Sequence, residues 1–342
     1  MIRRYVMGIS LALLIASMAA CRSGVDDDSK SSSGVSEPTA SASDSAPASS
    51  SAIASGETEP KAPGSKGFLW RVTGGTNPGY LAGTIHVARK DMYPLDPDLE
   101  QAVADSDYIG LELDLTKVNQ LALATLVAKQ ALLTDGTKLQ DYVSEDDYSK
   151  FEQLMKKSVG IVGASAFDQY EPWYAAMTLE SLPATKYKET DGIDVHLAKE
   201  AHETGKTVIE LESAESQLSL FDGFSEELQQ LYFHQTVTGA ATASIGYKQL
   251  LDMWTLGDLK ILEAMHDSYV KEGRQTMGDL FDEYDNGLLV SRNEGMVEKI
   301  DDYLQSGEAG TYMFAVGSLH MVGEHGLVAQ LESKGYTVEF IE

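Results

Sequence analysis

The sequence predicts an α/β fold of α+β character: a central mixed sheet built from two pseudo-symmetric halves, with a helical insertion between them. Three observations predict it. Tyr80-Leu-Ala-Gly-Thr-Ile-His86 and Thr311-Tyr-Met-Phe-Ala-Val-Gly-Ser-Leu-His320 each read as an apolar strand running into Gly-x-x-His. Each is followed by an apolar helix and another strand. After His86 come Asp98-Leu-Glu-Gln-Ala-Val-Ala104 and Tyr108-Ile-Gly-Leu-Glu-Leu-Asp114; after His320 come Gly326-Leu-Val-Ala-Gln-Leu-Glu-Ser333 and Gly335-Tyr-Thr-Val-Glu-Phe340. Between the halves, helical periodicity dominates. A strand–Gly-x-x-His–helix–strand unit that occurs twice points to a distant internal duplication.

The first residues stand apart from this domain. Arg3 and Arg4, the apolar run Ile9-Ser-Leu-Ala-Leu-Leu-Ile-Ala16 and Ser17-Met-Ala-Ala before Cys21 make residues 1–20 a secretory signal rather than a spanning helix. Cys21 is the only cysteine of the 342 residues. Its setting resembles a bacterial lipobox, which implies cleavage before Cys21 and acylation of its thiol; a secreted protein with a stray thiol is the plainer alternative. Residues 22–66 are Ser, Ala, Gly, Pro, Asp and Glu with almost no large apolar side chains. Such a stretch buries too little surface to offset ordering and reads as a flexible tether. The expected organisation is therefore signal 1–20, lipidated Cys21 with tether 21–66, and one globular domain, 67–342, lipid-anchored outside the cytoplasm.

The net charge is −27, from 53 acidic and 26 basic side chains. This excludes nucleic acid and an anionic lipid surface as main partners. Most of these acids belong to a solvated exterior, and few of them can be chemical.

Taken in order, Phe68-Leu-Trp-Arg-Val72 and Tyr80–Ile85 form a hairpin around Thr73-Gly-Gly-Thr-Asn-Pro-Gly79. Pro94-Leu-Asp-Pro-Asp-Leu99 starts a helix, with acids favouring its N-terminus. Tyr108–Asp114 is a strand. Helices are expected over Val118–Leu133, Glu145–Lys157, Tyr170–Leu182, Ile193–Thr204, Glu226–Thr238, Leu250–Thr255, Asp258–Lys271 and Leu288–Leu304. Thr207-Val-Ile-Glu-Leu211 is a short strand after Gly205, and Tyr336–Ile341 is the last.

His86 and His320 fall at the C-terminal ends of predicted strands, where open α/β sheets place their sites. A lone histidine there is more often structural; two in matched settings favour function, because a duplicated site needs both to face one crevice. Imidazole is the usual metal ligand and proton carrier near neutral pH. Glu112 sits in an apolar strand, where a carboxylate is costly unless it is paired or holds metal. Two histidines and one carboxylate, with positions left open for water, fit a catalytic divalent site. Glu212, at the end of the 207–211 strand, either lines the crevice or caps the following helix. Arg292 is an exposed charge or an arm into the site that steadies an oxyanion. His196 and His202 are off the i, i+4 spacing and read as surface residues; His234 and His266 show no partner pattern. His325 reads as a helix-start residue.

These pieces together resemble the TraB/PrgY/GumN family, which includes the Tiki proteases and is related to the erythromycin-esterase and ChaN-like fold. The resemblance spans residues 67–342 and rests on Leu81–His86, Gly110–Asp114, Asp191-Gly-Ile-Asp194, Gly205–Ser213 with Gln217, Arg292-Asn293 and Val316–Leu327. It implies a metal-dependent hydrolytic centre, with Mn or Co as activating ion, made of His86, Glu112 and His320 and supported by Arg292 and Asn293. The expected function is a membrane-tethered peptidase acting on a peptide or protein. The alternative is a surface lipoprotein that sequesters a peptide or haem without turnover.

Overall fold

The computed structural model describes residues 64–159, 163–187 and 190–342. The signal, Cys21 and nearly all of the tether lie outside the described residues. Strands β1 (Phe68–Thr73) and β2 (Gly79–Thr84) form the expected antiparallel hairpin, with Trp70 opposite Leu81. Helix α1 (Pro97–Asp105) starts at an Asp96 cap with proline in its first turn and leads to β3 (Tyr108–Leu111). The helical middle follows: α2 (Gln120–Gln130), α3 (Leu139–Tyr142), α4 (Glu145–Val159), α5 (Pro172–Ser181) and α6 (Ile193–Glu203). Strand β4 (Thr207–Glu210) interrupts it. Then come α7 (Ala214–Asp222), α8 (Glu226–Gly239), α9 (Ala243–Leu256), α10 (Leu259–Met277) and α11 (Leu280–Asp285). A π-helical turn over Asn286–Val290 joins α11 to α12 (Ser291–Ser306). The chain ends with β5 (Tyr312–Gly317), α13 (Leu327–Ser333) and β6 (Thr337–Ile341).

All six strands make one mixed sheet in the order β4-β3-β5-β2-β1-β6. Strands β4, β3, β5 and β2 run parallel to one another; β1 is antiparallel to both of its neighbours. The two halves enter this sheet differently. From β2 the chain passes over one strand to reach β3, whereas from β5 it passes over two, because β1 occupies the intervening place.

Buried side chains fall into two clusters. One wraps the sheet and includes Phe68, Leu81, Ile109, Phe314 and Trp254. The other packs the helical middle and centres on Phe151, Trp173, Phe221, Phe233 and Phe281. Strand β5 is buried at every residue, as a central parallel strand covered on both faces must be. The helix expected from Leu288 begins earlier, at Leu280, because the π turn keeps the run continuous through Gly287. Likewise α9 extends seven residues before Leu250, with Gly246 buried inside it.

Candidate functional site

Strands β3, β5 and β2 are adjacent and parallel, so their C-terminal ends open on the same side of the sheet. Glu112 is the first residue beyond β3, His320 lies three beyond Gly317, and His86 lies two beyond Thr84. The register pairs Gly83 with Val316 and Thr84 with Gly317, which brings the two Gly-x-x-His segments side by side. Ser318 Oγ donates to the Thr84 carbonyl at 2.8 Å and ties the segments together. A methyl group on Gly83 would crowd Ser318, so glycine here permits the close approach. Trp254 Nε1 donates to the Gly83 carbonyl from the far side.

His320 is fully buried, and its Nδ1 lies 2.6 Å from Asn293 Oδ1. Asn293 Nδ2 donates to the His325 carbonyl, which fixes the amide orientation; Nδ1 of His320 is therefore the donor and Nε2 keeps a lone pair. His86 Nδ1 lies 2.8 Å from Asp194 Oδ2, and Thr84 Oγ1 donates to Asp194 Oδ1 at 2.5 Å. In both histidines Nε2 is buried and has no hydrogen-bond partner.

Glu112 is 4 % exposed. Its Oε1 accepts from the Gly317 backbone N–H at 2.7 Å, and its Oε2 accepts from Arg292 Nη2 at 2.6 Å. Arg292 also donates from Nε and Nη2 to Glu212 and from Nη1 to the Leu288 carbonyl in the π turn. Gln217 Nε2 bridges Glu212 at 2.9 Å and Glu112 at 3.3 Å. Arg292 is thus a buried clamp between two carboxylates, with most of its N–H groups committed. Glu212, one of two readings in the sequence, faces this crevice.

Charge separates the three groups. Burial disfavours the Glu112 carboxylate, but Arg292, His320, His86 and the Gly317 N–H together pull its pKa down to about 2. Burial depresses His320, and the Arg292 charge adds to it, giving about 3. Burial also opposes the His86 cation, yet the charge and hydrogen bond of Asp194 outweigh it and raise His86 to about 9.

Of the sequence-predicted residues, Glu112, Arg292, Asn293 and His320 form one contact network at the strand ends, and His86 stands on the neighbouring segment, held by Asp194. His320 Nε2 and Glu112 Oε1 are 3.8 Å apart, while His86 reaches the other two through its field rather than by contact. Among the described residues, no group of three or more His, Cys, Asp or Glu side chains is gathered tightly enough to hold an ion. The donor chemistry nevertheless fits one: two buried Nε2 atoms without partners, each on an imidazole held through its other nitrogen, beside an ionised carboxylate.

Two histidines have partners that the sequence did not show: His202, read as a surface residue, is part-buried, and His234, read as without a partner pattern, is exposed yet paired. His202 Nε2 lies 2.7 Å from Asp114 Oδ2, and His234 Nδ1 lies 2.9 Å from Asp147 Oδ2. Asp194 is the functional residue without an assigned role in the sequence. Its segment Asp191–Asp194 docks on the His86 loop through Ile193 N–H to the Ile85 carbonyl. A side chain at Gly192 would overlap the His86 carbonyl. Gly192→Ala is therefore expected to push α6 away from His86 and cost about 1–3 kcal/mol in denaturant unfolding; unchanged stability would contradict this packing.

The profile of the TraB/PrgY/gumN family matches residues 68–340. Similar proteins include the zebrafish (Danio rerio) metalloprotease TIKI2, 26 % identical over 80 % of this chain and 60 % of its own length. The human (Homo sapiens) metalloprotease TIKI1 is 24 % identical over 83 % of this chain and 63 % of its own. Escherichia coli YbaP, an uncharacterized protein, is 27 % identical over 77 % of this chain and 93 % of its own. The chain thus spans about 60 % of the length of the TIKI relatives. No solved structure matches. No helix among the described residues is long and apolar enough to cross a membrane.

Proposed function

The chain belongs to the TraB/PrgY/gumN family, and from that membership we propose that it is a metal-dependent hydrolase of peptide bonds, held outside the cytoplasmic membrane by an acylated Cys21. His86, Glu112 and His320 supply the donors for a divalent ion (manganese, cobalt or zinc). The observation that carries this reading is the pair of buried Nε2 atoms without partners, on imidazoles each anchored at Nδ1.

A bound ion would supply Lewis acidity toward the scissile carbonyl and a more acidic water. The rest is the work of the side chains. Asn293 keeps the His320 lone pair aimed inward, and Asp194 does the same for His86. Glu112, ionised across the working pH range, holds charge and is a poor proton acceptor. Of the three, His86 has the highest proton affinity, so its proton is the one that has to leave before Nε2 can serve as a donor. With its N–H groups spent on Glu112, Glu212 and Leu288, Arg292 positions Glu112 rather than steadying an oxyanion.

The test is cleavage of a peptide library by the purified chain, with and without Mn²⁺, Co²⁺ or Zn²⁺, beside His320→Ala. Ion-dependent cleavage lost in the variant supports the reading. Cleavage unchanged in the variant rules the site out, and ligand binding that persists without ion in His86→Ala would mark a sequestering protein instead.

Two further results are expected. Asn293→Ala should weaken ion affinity by roughly 10–100-fold in calorimetric titration while leaving the fold intact. Because the His86 proton must leave when Nε2 binds an ion, affinity should climb with pH from about neutrality and level off near 9. A pH-independent affinity would remove His86 from the donor set.

A further inference from the structure

A groove of about 410 Å³ lies beside the site, between the β3–α2 connection and β4 with the start of α7. It begins one residue beyond Glu112 and two residues before Glu212, so the same two chain segments carry the carboxylates and shape the groove. Its walls are apolar: Leu113, Val118, Leu123, Leu126 and Val208. Strand β4 is the edge of the sheet, so one side of its backbone has no neighbouring strand. The polar lining is Asn119, Lys117, the exposed Glu210 and Glu215, and Asp114, which is buried and held by Thr116 and His202.

We propose that this groove binds an extended segment of the polypeptide substrate, seating an aliphatic side chain against Leu123, Leu126 and Val208 with a lysine or arginine beside it. The inference rests on the peptidase reading above and adds its substrate class. The volume lies within the range of ligand sites. An extended chain suits an open strand edge, where main-chain hydrogen bonds give affinity and alternate side chains give selectivity. Glu210 and Glu215 are the exposed acids of the lining, and on a chain of net charge −27 they favour a basic neighbour over an acidic one. A small apolar solute would not use the strand edge, and an acidic segment would meet like charge.

The test uses short fluorescent peptides with a central leucine flanked by lysines, and matched peptides carrying serine for leucine or glutamate for lysine. Binding to the intact chain bearing His320→Ala is read by anisotropy, without any need for turnover. Ala122→Trp fills the groove from an exposed helical position that touches no catalytic group. The leucine–lysine peptide is expected to bind at least about tenfold more tightly than either control, and Ala122→Trp should erase that margin. Glu215→Lys, also exposed, should reduce only the preference for lysine. In the active chain, Ala122→Trp should abolish the aliphatic preference in library cleavage while ion dependence persists. Equal binding of all three peptides, an unaltered preference in Ala122→Trp, or self-association of the chain through this face would overturn the proposal. Failure of ion-dependent cleavage with the binding margin intact would instead count against the peptidase reading.

Discussion

His320→Ala is expected to reduce ion-dependent peptide cleavage by at least about 10³-fold, the scale on which loss of one member of a cooperating catalytic set is felt. The residue has no exposed surface, its Nδ1 is spent on Asn293, and its free Nε2 lies 3.8 Å from Glu112. Truncation removes the imidazole of the pair that burial keeps neutral. It also leaves Asn293 Oδ1 without its donor, so some loss of stability, about 1–3 kcal/mol, should accompany the loss of rate. His320→Gln separates the two effects, since its amide retains polarity in the pocket. If both variants fold and both still cleave at the parental rate, the crevice is not where hydrolysis happens.

Arg292→Met in the ion-free chain is expected to cost about 3–5 kcal/mol, because it leaves Glu112 and Glu212 facing each other without a countercharge in a buried place. The pH dependence gives the cause away. In the parent, Glu112 is held below its usual value, so its contribution is present above the normal carboxylate range and fades as pH falls toward about 2. In the variant the largest charge opposing burial is gone, and Glu112 binds its proton more tightly in the folded chain than it does in the parent. The stability it contributes is then lost at a higher pH than in the parent. The stability gap between parent and variant should therefore widen from about pH 5 to about pH 8 in denaturant titrations. A constant gap would mean that the lost guanidinium mattered only for packing.

What the sequence disclosed follows from the range of each interaction. The sheet ends and the two Gly-x-x-His segments were readable because the motif is local and occurs twice. Glu112 was readable because an acid in an apolar strand is conspicuous by itself. The partners of these residues were not: Asp194 meets His86 across 108 positions and Gln217 meets Glu112 across 105. No periodicity reports a contact of that kind. The same blindness put His202 on the surface, although Asp114 holds it from 88 positions away. Arg292 was readable as an arm into the site; that it spends itself on Glu112 and Glu212 could come only from the packed arrangement. The repeat also overstated symmetry, since nothing in it foretold that β1 would take the place beside β2.

The π turn before α12 acts as a phase shifter. An α-helix advances about 100° per residue, so one surplus residue re-clocks everything downstream. Upstream, Phe281 and Tyr284 face the helical core; downstream, Arg292 and Asn293 face the crevice, and Leu288 lends a carbonyl to the guanidinium. Excising a single residue between Asn286 and Val290 would restore a regular spiral and swing both side chains out of reach of their targets. One insertion in a helix thus sets the aim of the groups that hold Glu112 and His320 in place.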